Sequence, residues 1–414
     1  MRSSSHDLSA SARKAIVERC IKLWMVDGAI AQAESLLASG TFGQGLSAPR
    51  APDLRVQKII DAFWHDSDNQ LVCTSVQAMN LTNRALMLEG ERFFTVHTSP
   101  ADSSVKMADV PAEEIAEVIP HPENRRKPLL YKRVWRPSRY DFGKGQWVSA
   151  DREQVRYYRD LRAPDPLLPR DDDDPEALEL IETCPQLDPD VAVLHFYTNS
   201  LGLRGIPEVY RAYDWARVHS GTVADMATIT KALAAFAWQK RMRTRSESVV
   251  RNSASNFQAP PPGPGGVHVG NENVQLEPVK VGTGAVSNQQ ATSRAAFLQT
   301  IRPFGFGEHW YGDASTGCLA IGRSMEVPAI WKIRGRQTLF EQSLFRPVLD
   351  FVIERAVRLQ DARYLPQSVD RYYDLNYPPV REKDEGGTAP LKWDSGGSHF
   401  VGCRPGEEVL GSAV

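Results

Sequence analysis

The densest group of possible metal ligands is the acidic run Asp171–Asp174, which is followed by further carboxylates up to Asp190. Ca²⁺ and Mg²⁺ require several carboxylates close together, and a bound metal here would indicate a hydrolase or nuclease. The run lacks the glycine and the spaced ligands of an ordered metal loop, and Pro169 and Pro175 flank it. We therefore favour a solvated surface loop and predict no metal, with a metal-dependent hydrolase or nuclease as the first alternative.

Two further side chains could do chemistry. His309, between Glu308 and Trp310, could act as a general base, and Cys318 could be a nucleophile if the fold supplied a base. A loop histidine with ordinary hydrogen bonds is the simpler interpretation, and nothing in the sequence indicates a base for Cys318. The Gly-rich segments match neither GxGxxG nor GxxxxGK[ST], and neither HExxH nor GxSxG occurs. We therefore predict a structural or binding protein that is not an enzyme and uses no cofactor.

A basic cluster, opposed only by Glu247, consists of Lys240, Arg241, Arg243, Arg245 and Arg251. It could neutralise DNA phosphates, and it could equally stabilise the C-terminal end of a helix. The formal net charge of the chain is −2, so any contact with DNA must use local patches of this kind. The segment APPPGPGG that follows cannot be a helix or a central strand.

The element that precedes this cluster is a helix of about 36 residues, predicted from Pro207 to about Met242, with a length of about 54 Å. One apolar face is formed by residues spaced 3, 4 and 3 apart, namely Met226, Ile229, Leu233 and Phe236. Such a stripe is typical of a core helix in any α-rich protein. Alternatively, neighbouring copies of the chain bury it in an assembly.

The remaining pattern predicts an α+β chain that is mostly helical. Helices are expected at residues 9–38, 53–64, 75–88 and from 287 to Pro303, and strands at 91–97, 115–119, 131–135, around 157–158 and at 274–282. A Gly- and aromatic-rich connection leads to a second long helix, from Pro328 to about Leu359. Pro347 should kink that helix, because it removes a backbone donor.

Composition places the chain among ordinary globular proteins, with 414 residues, 42% hydrophobic and 24% charged, enough for two or three domains. The five widely spaced cysteines form no CxxC pair, which favours a reducing compartment over disulfides or structural zinc. The N-terminus is polar and the longest apolar stretch, Leu233–Trp238, is too short to cross a bilayer. We therefore expect no signal peptide, no membrane span and a soluble chain.

Four phrases carry a resemblance to a known family. They are LTNRALMLEGERFFTV at 81–96, IPHPENRRKPLLYKRVW at 119–135, HFYTNSLGLRGIPEVYRAYDW at 195–215 and the segment at 274–328. The phrases, and the order of segments over residues 75–380, resemble the portal proteins of tailed phages and prophages. The pattern H-F-x-x-N-x-L-x-L-R-G-x-P is similar to that family's entry to the wing and stem helices.

The resemblance implies the portal fold, α+β and predominantly helical, with wing, stem and clip. The expected order is an N-terminal helical region (1–74), wing (75–200), long wing and stem helix (201–242), clip-like region (243–285), returning stem helix (286–303), tunnel-loop region (304–327), kinked helix and wing return (328–380), and Gly-rich tail (381–414). In the family, helices of a crown should follow residue 380, but the tail here is Gly-rich and has no helical period. The crown should therefore be missing or replaced, as a truncated or frameshifted gene would leave it.

The family further implies a closed homo-oligomeric ring, usually a dodecamer, at one capsid vertex of the virion, assembled in the host bacterial cytoplasm. Expected partners are double-stranded DNA in the channel, the terminase large subunit, head–tail connectors and the major capsid or scaffold proteins, without a membrane. The basic cluster then belongs to clip and stem, and the apolar stripe packs subunits together. A scaffold or adaptor protein without a channel is the second alternative.

The resemblance also implies loops that point into the channel, with Trp310, Tyr311, Gly312, Gly317 and Arg323 as candidates. Gly312 and Gly317 allow backbone conformations that other residues resist. Arg323 could touch phosphate, whereas Trp310 and Tyr311 should pack at the base of the loop. A static connection buried between helices is the alternative for this segment.

Overall fold

The computed structural model describes residues 8–99, 104–166, 169–200, 202–234, 238–243, 246–255, 274–278, 283–312, 319–358 and 369–380. Several predicted features lie outside these residues, namely Phe236, Arg245, Gly317, Cys318, the APPPGPGG segment and the tail 381–414. The backbone of four further candidates is described but their side chains are not: Leu233, Lys240, Arg241 and Arg323.

The N-terminal region is helical, but the single helix predicted at 9–38 is wrong. It is two helices, α1 (Ala10–Val26) and α2 (Gly28–Phe42), which meet at Asp27. The carboxylate of Asp27 accepts the backbone N–H groups of Ala29 and Ile30, so it caps a second helix where the apolar pattern continues without a break. The next elements are α3 (Leu54–Trp64), α4 (Ser67–Asn69), a π-helical turn (Gln70–Thr74) and α5 (Val76–Leu88). The helices predicted at 53–64 and 75–88 are therefore confirmed.

Six strands form a mixed sheet in the order β2-β1-β8-β7-β4-β3. They are β1 (Glu91–Thr98), β2 (Val105–Val110), β3 (Ile115–Pro120), β4 (Pro128–Trp135), β7 (Gln154–Asp160) and β8 (Leu187–Tyr197). Between β4 and β7 a separate hairpin consists of β5 (Ser138–Asp141) and β6 (Gln146–Ser149), and α6 (Pro175–Glu182) precedes β8. All pairs in the large sheet are antiparallel except β7 with β8. The predicted α+β class is confirmed, and so are the strands predicted at 91–97, 115–119, 131–135 and around 157–158.

Alternate residues of the central strands serve two different cores. Phe94 of β1 and Phe196 of β8 face the largest apolar cluster, which the helices of one side complete. There the ring of Phe340 lies 4.7 Å from that of Phe42 and 4.8 Å from that of Phe196. Phe93 and the other odd-numbered positions of β1 face the opposite side of the sheet. This second face holds the buried polar groups described below.

The long helix predicted from Pro207 to Met242 is too long. A 3₁₀ turn (Glu208–Ala212) leads into α7 (Tyr213–Ala234), whose 22 residues span about 33 Å. Residues Trp238–Met242 form β9, which pairs antiparallel with β10 (Val274–Pro278). Strand pairing with a distant segment has overridden the helical pattern there, and sequence periodicity alone does not reveal such a partner.

The chain returns through α9 (Thr283–Ile301), after α8 (Glu247–Ser255). α9 packs against α7, and the rings of His219 and Phe297 lie 5.4 Å apart near the base of the pair. The packing of α7 against α9 and the antiparallel pairing of β9 with β10 show that the chain leaves the sheet along α7 and returns along α9. We call residues 208–301 the excursion. Two 3₁₀ turns, Arg302–Phe304 and Glu308–Tyr311, follow α9.

The second long helix begins earlier than predicted. α10 (Leu319–Phe340) contains Pro328 in its interior, so Arg323 lies on a helix and not in a loop. A π-helical turn (Glu341–Phe345) separates α10 from α11 (Arg346–Arg358). Pro347 follows this turn and has no N–H for the carbonyl of Ser343, so the irregularity predicted at Pro347 takes the form of a π-helical turn.

The segment 369–380 folds back on the body. Tyr373 is buried in the largest core, and Asp374 forms an antiparallel bridge with Arg50. The side chain of Gln337 on α10 donates to the carbonyls of Thr41 and Pro378, so three parts of the chain meet there. None of the helices in the described ranges is long and apolar enough to cross a membrane.

Candidate functional site

The carboxylate of Glu91 joins two of the segments that resemble portal proteins, residues 81–96 and residues 195–215. Glu91 begins β1 and is only 3% exposed. It accepts hydrogen bonds from His195 Nε2 at 3.0 Å, from Arg204 Nε at 2.8 and 2.9 Å, and from the Gly205 N–H at 3.0 Å. Three residues of the H-F-x-x-N-x-L-x-L-R-G-x-P pattern thus converge on one carboxylate. We call Glu91, His195, Arg204 and Gly205 the Glu91 junction.

Arg204 connects the Glu91 junction to the segment between β2 and β3. Its Nη1 donates to the carbonyl of Ile115 at 2.9 Å and its Nη2 to the carbonyl of Ala112 at 3.0 Å. The guanidinium also lies over the ring of Phe93, 5.1 Å from the ring centre. A planar guanidinium can satisfy several acceptors at once, so one side chain fixes the exit of β8 against the turn between β2 and β3.

Two glycines allow the backbones to cross at this junction. Gly90 has φ +85°, and a Cβ on it would lie 2.3 Å from the carbonyl carbon of Ile206. A Cβ on Gly205 would lie 2.1 Å from the carbonyl oxygen of Gly90. That oxygen also accepts the N–H of Thr198 at 2.9 Å. Only glycine fits at either position, because any side chain would overlap backbone atoms.

Burial and charge act in opposite directions on the two titratable groups of the junction. Burial alone would raise the pKa of Glu91, but the hydrogen bond from His195 and the charge of Arg204 outweigh it and hold that pKa at about 2. Burial lowers the pKa of His195 from its ordinary value. The junction therefore consists of a carboxylate, a guanidinium and a neutral imidazole at pH 7.

These shifts predict a loss of stability between pH 7.5 and 5.5. In the unfolded chain His195 takes up a proton near its ordinary pKa of 6.5, whereas burial in the folded chain lowers its pKa and opposes protonation. The free energy of unfolding should therefore decrease as the pH is lowered through this range. Glu91 does not contribute there, since its stabilisation is lost only below its ordinary value of 4.5. Urea denaturation at pH 7.5 and at pH 5.5 measures this difference in the free energy of unfolding. The difference should be smaller for His195→Gln than for the wild type.

The control for the pH experiment is His65→Gln, because His65 is exposed. It should leave the pH dependence unchanged. Burial also lowers the pKa of His97, so a part of the decrease should persist in His195→Gln. An unaltered decrease in His195→Gln would refute the assignment of His195 as a buried neutral imidazole.

A second group of perturbed carboxyl and phenol groups lies beside the junction. The Tyr131 hydroxyl donates to Asp160 at 2.7 Å, and burial raises the pKa of both residues. Perturbed pKa values often mark catalytic sites, but here Tyr131, Asp160, Glu91 and His195 are all buried. Their hydrogen bonds connect strands to one another, so the arrangement is that of a structural brace.

Glu208 ties the entry of α7 to α10, the helix that follows the return through α9. Its carboxylate accepts Arg336 Nη2 at 2.6 Å and the Thr198 hydroxyl at 3.3 Å, and Lys332 Nζ lies 3.7 Å away. Glu208 and Arg336 are both buried. The excursion is therefore held by charged contacts at its departure and at the helix that follows its return.

The structure describes part of the predicted tunnel-loop region. Trp310 and Tyr311 lie in the 3₁₀ turn Glu308–Tyr311 and pack on the apolar cluster beneath it. Gly312 follows with φ +95°, a conformation that favours glycine. Glu308 is buried and takes two hydrogen bonds from Arg294 of α9, at 3.0 and 2.7 Å. The base of this region is thus anchored to the returning helix.

The described members of the apolar stripe and of the basic cluster lie on different parts of the excursion. Met226 and Ile229 are half-buried on α7, whereas their neighbours are exposed, so the stripe is partly covered within one chain. Arg243 is exposed, and Arg251 on α8 pairs with Glu247 at 3.0 Å. The structure does not bring these two groups together.

The acidic run has a local structural role. Asp174 caps α6 through the Glu176 N–H and accepts His121 Nε2 at 2.6 Å, and Asp173 accepts the Arg170 N–H. Asp171 and Asp172 are exposed. Within the described ranges no group of three or more His, Cys, Asp or Glu residues could hold a metal ion. Asp173 and Asp174 are engaged in local hydrogen bonds, and the metal-dependent alternative is not favoured.

Sequence reasoning singled out the phrases around the junction but not its centre. The signal that could have found it is the charge at Glu91 and Arg204, which stand inside apolar segments. A charge that must be buried requires a partner of opposite sign, so an acid and a base in two such segments predict an ion pair.

No protein-family model and no curated protein matches the chain. Solved structures do. A chain in the neck of an empty gene transfer agent (GTA) particle has 12% identity and a TM-score of 0.40, over 84% of this chain and 81% of that one. A chain in the neck of a native GTA particle has 12% identity and a TM-score of 0.40, over 86% and 82%.

A third similar structure is a HK97-family phage portal protein from Corynebacterium diphtheriae, with 13% identity, a TM-score of 0.30 and coverage of 76% and 88%. The identities of these three chains are below 25% and their TM-scores are below 0.5, so the similarity assigns no role to this chain.

Proposed function

We propose that this chain is a phage portal subunit, which forms a closed homo-oligomeric ring at one capsid vertex through which double-stranded DNA is packaged and ejected. The observation that carries this proposal is the Glu91 junction, where two phrases that resemble portal proteins join the sheet to the excursion. Head-to-tail contacts close into a ring only if each subunit holds its contact surfaces at a fixed angle. A buried, fully bonded junction supplies that rigidity.

We assign the excursion to the stem and clip of such a subunit. α7 and α9 would be the stem, residues 243–285 the clip, and residues 75–200 the wing. The exposed Arg243 and the exposed pair on α8 support a clip that docks the terminase large subunit and the head–tail connector. The ring would belong to the virion, with the wing towards the capsid or scaffold proteins.

The channel-facing part is proposed to lie between α9 and α10. The anchored turn Glu308–Tyr311 forms its base, and the left-handed Gly312 ends that turn. In this proposal the segment from Gly312 to Arg323 meets the DNA, and Arg323 contacts phosphate only transiently. Strong neutralisation of phosphates would retain a polymer that has to move.

Electron microscopy of the purified full chain tests the proposal directly. Negatively stained particles should be rings with a central opening, and light scattering should give a mass that is a multiple of 46.1 kDa. Rods without an opening would instead identify a scaffold or adaptor protein. A species of one chain mass alone at micromolar concentration would refute the ring.

The apolar stripe provides a mutational test of assembly. Ile229→Arg should abolish the ring, because a charge would be buried where the half-exposed side chain meets a neighbouring copy. The control is Thr230→Arg, on the exposed side of the same helix turn, which should assemble normally. Mass photometry measures assembly, and circular dichroism verifies that the monomer retains its helices. Intact rings from a folded Ile229→Arg chain would remove this stripe from the interface.

A further inference from the structure

A cavity of about 710 Å³ lies between the loop that follows β7 and the region of the π-helical turn and α11. Its lining is unusually rich in arginine, with Arg159, Arg162, Arg170, Arg346 and Arg355. The cavity is separate from the Glu91 junction and from the excursion, and none of the functions proposed above uses it.

The deepest part of the lining holds two guanidinium groups on one carboxylate. Arg159 Nη2 and Arg355 Nη2 both donate to Asp165 Oδ2, at 2.9 and 2.5 Å. Both arginines are more than nine-tenths buried, and both stand over the ring of Phe351. Arg159 Nε has no hydrogen-bond partner. Two almost fully buried guanidinium groups thus share one carboxylate, and the only further carboxylate whose charge acts on Arg159 among the described residues, Asp160, accepts the hydroxyl of Tyr131 instead.

The other carboxylates of the lining are already engaged. Glu354 pairs with the side chain of Arg170, and Asp173 accepts the Arg170 N–H at 2.6 Å. Asp350 accepts the hydroxyl of Tyr373 at 2.7 Å. These bonds hold three negative charges in fixed places, so they are not available to approach the two buried arginines.

Arg162 stands at the mouth of the same cavity. Its side chain is exposed, and among the described residues its guanidinium has no hydrogen bond or ion pair. An arginine that reaches a cavity from solvent can close on a ligand without first breaking an internal contact. The lining thus combines two buried guanidinium groups that share one carboxylate with a third guanidinium, that of Arg162, which has no hydrogen bond among the described residues.

We propose that this cavity binds a phosphate-class oxyanion, either free phosphate or a phosphate of a DNA backbone, between Arg162 and the buried Arg159–Arg355 pair. Guanidinium groups present N–H donors in a planar fork that matches the oxygens of phosphate, which explains their use where phosphate is recognised. The proposal does not depend on ring formation, so it can hold or fail separately from the portal assignment.

Titration calorimetry of the full chain with inorganic phosphate tests the site, with chloride at matched ionic strength as the blank. Phosphate should bind saturably, and Arg162→Ala should weaken it by about tenfold or more, as expected for a lost charge-assisted hydrogen bond. The control, Arg152→Ala, removes an exposed arginine outside the cavity and should bind as the wild type does.

A short DNA duplex distinguishes free phosphate from the phosphate of a DNA backbone. Displacement of the duplex by phosphate identifies backbone phosphate, and phosphate binding without duplex binding identifies the free ion.

A second variant should act in the opposite direction. Asp165→Asn removes the carboxylate that the two buried arginines share, so it should bind phosphate more tightly than the wild type, and phosphate should raise its melting temperature by a larger amount. If Asp165→Asn does not fold, Arg162→Ala decides. Binding no stronger than that of chloride, or equal binding by Arg162→Ala and the wild type, would overturn the proposal.

Discussion

Replacing Glu91 with Gln should lower the free energy of unfolding by about 3–5 kcal/mol, the range observed when one partner of a buried ion pair is removed. The amide would leave the guanidinium of Arg204 buried without a counter-charge, and its NH₂ group would face N–H donors that require an acceptor. Urea denaturation followed by circular dichroism measures the change. At constant slope, the transition midpoint should move to lower urea.

Two variants establish that the effect belongs to the junction. Glu117→Gln changes an exposed carboxylate on β3, so it should alter stability by no more than about 0.5 kcal/mol. The double variant Glu91→Gln with Arg204→Met removes both charges, so it should recover part of the loss. If Glu91→Gln costs no more than Glu117→Gln, the junction does not hold the excursion to the sheet.

Much of the fold follows from local pattern. The helix α3 and the strand β1 lie within one or two residues of the predicted bounds, because the apolar residues of α3 face one core and those of β1 face the two cores on either side of the sheet. The alternation in β1 also separates its two faces as the structure has them. These elements are determined by their own residues and a nearby apolar surface.

The errors in the fold have non-local or single-residue causes. The break at Asp27 depends on one carboxylate that caps a helix inside a continuous apolar pattern. The strand β9 depends on its pairing with β10, which stands far along the chain. The start of α10 at Leu319 runs against the preference of Pro328 for a first helical turn. At β9 a tertiary contact outweighs the local helical preference, whereas at Asp27 a local cap interrupts it.

The candidate site was predictable as a set of phrases but not as an arrangement. His195 and Glu91 are 104 positions apart, and Arg204 is 113 positions from Glu91. Periodicity cannot pair residues over such distances. The charges in apolar segments indicate that a buried pair exists, but the choice of partners depends on sheet order, which places β1 beside β8. The same limit applies to the arginine-lined cavity, whose two walls are nearly 200 residues apart in sequence.

The second large effect is expected from a single methyl group. Gly205→Ala should destabilise the chain by about 3 kcal/mol, because its Cβ would stand 2.1 Å from the Gly90 carbonyl oxygen, a backbone atom that is itself hydrogen-bonded to Thr198. The overlap can be relieved only if the two backbones separate, which would also lengthen the hydrogen bond from Gly205 N–H to Glu91.

Gly335→Ala is the matched control. That glycine lies inside α10, and apart from its chain neighbours and the backbone of its own helix no atom lies within 4 Å of a new Cβ, so alanine should stabilise the chain by about 0.5–1 kcal/mol. Urea denaturation of both variants should therefore give shifts of opposite sign. Equal shifts would mean that the backbones at Gly90 and Gly205 can separate without cost, which is incompatible with a junction that fixes the angle of the excursion.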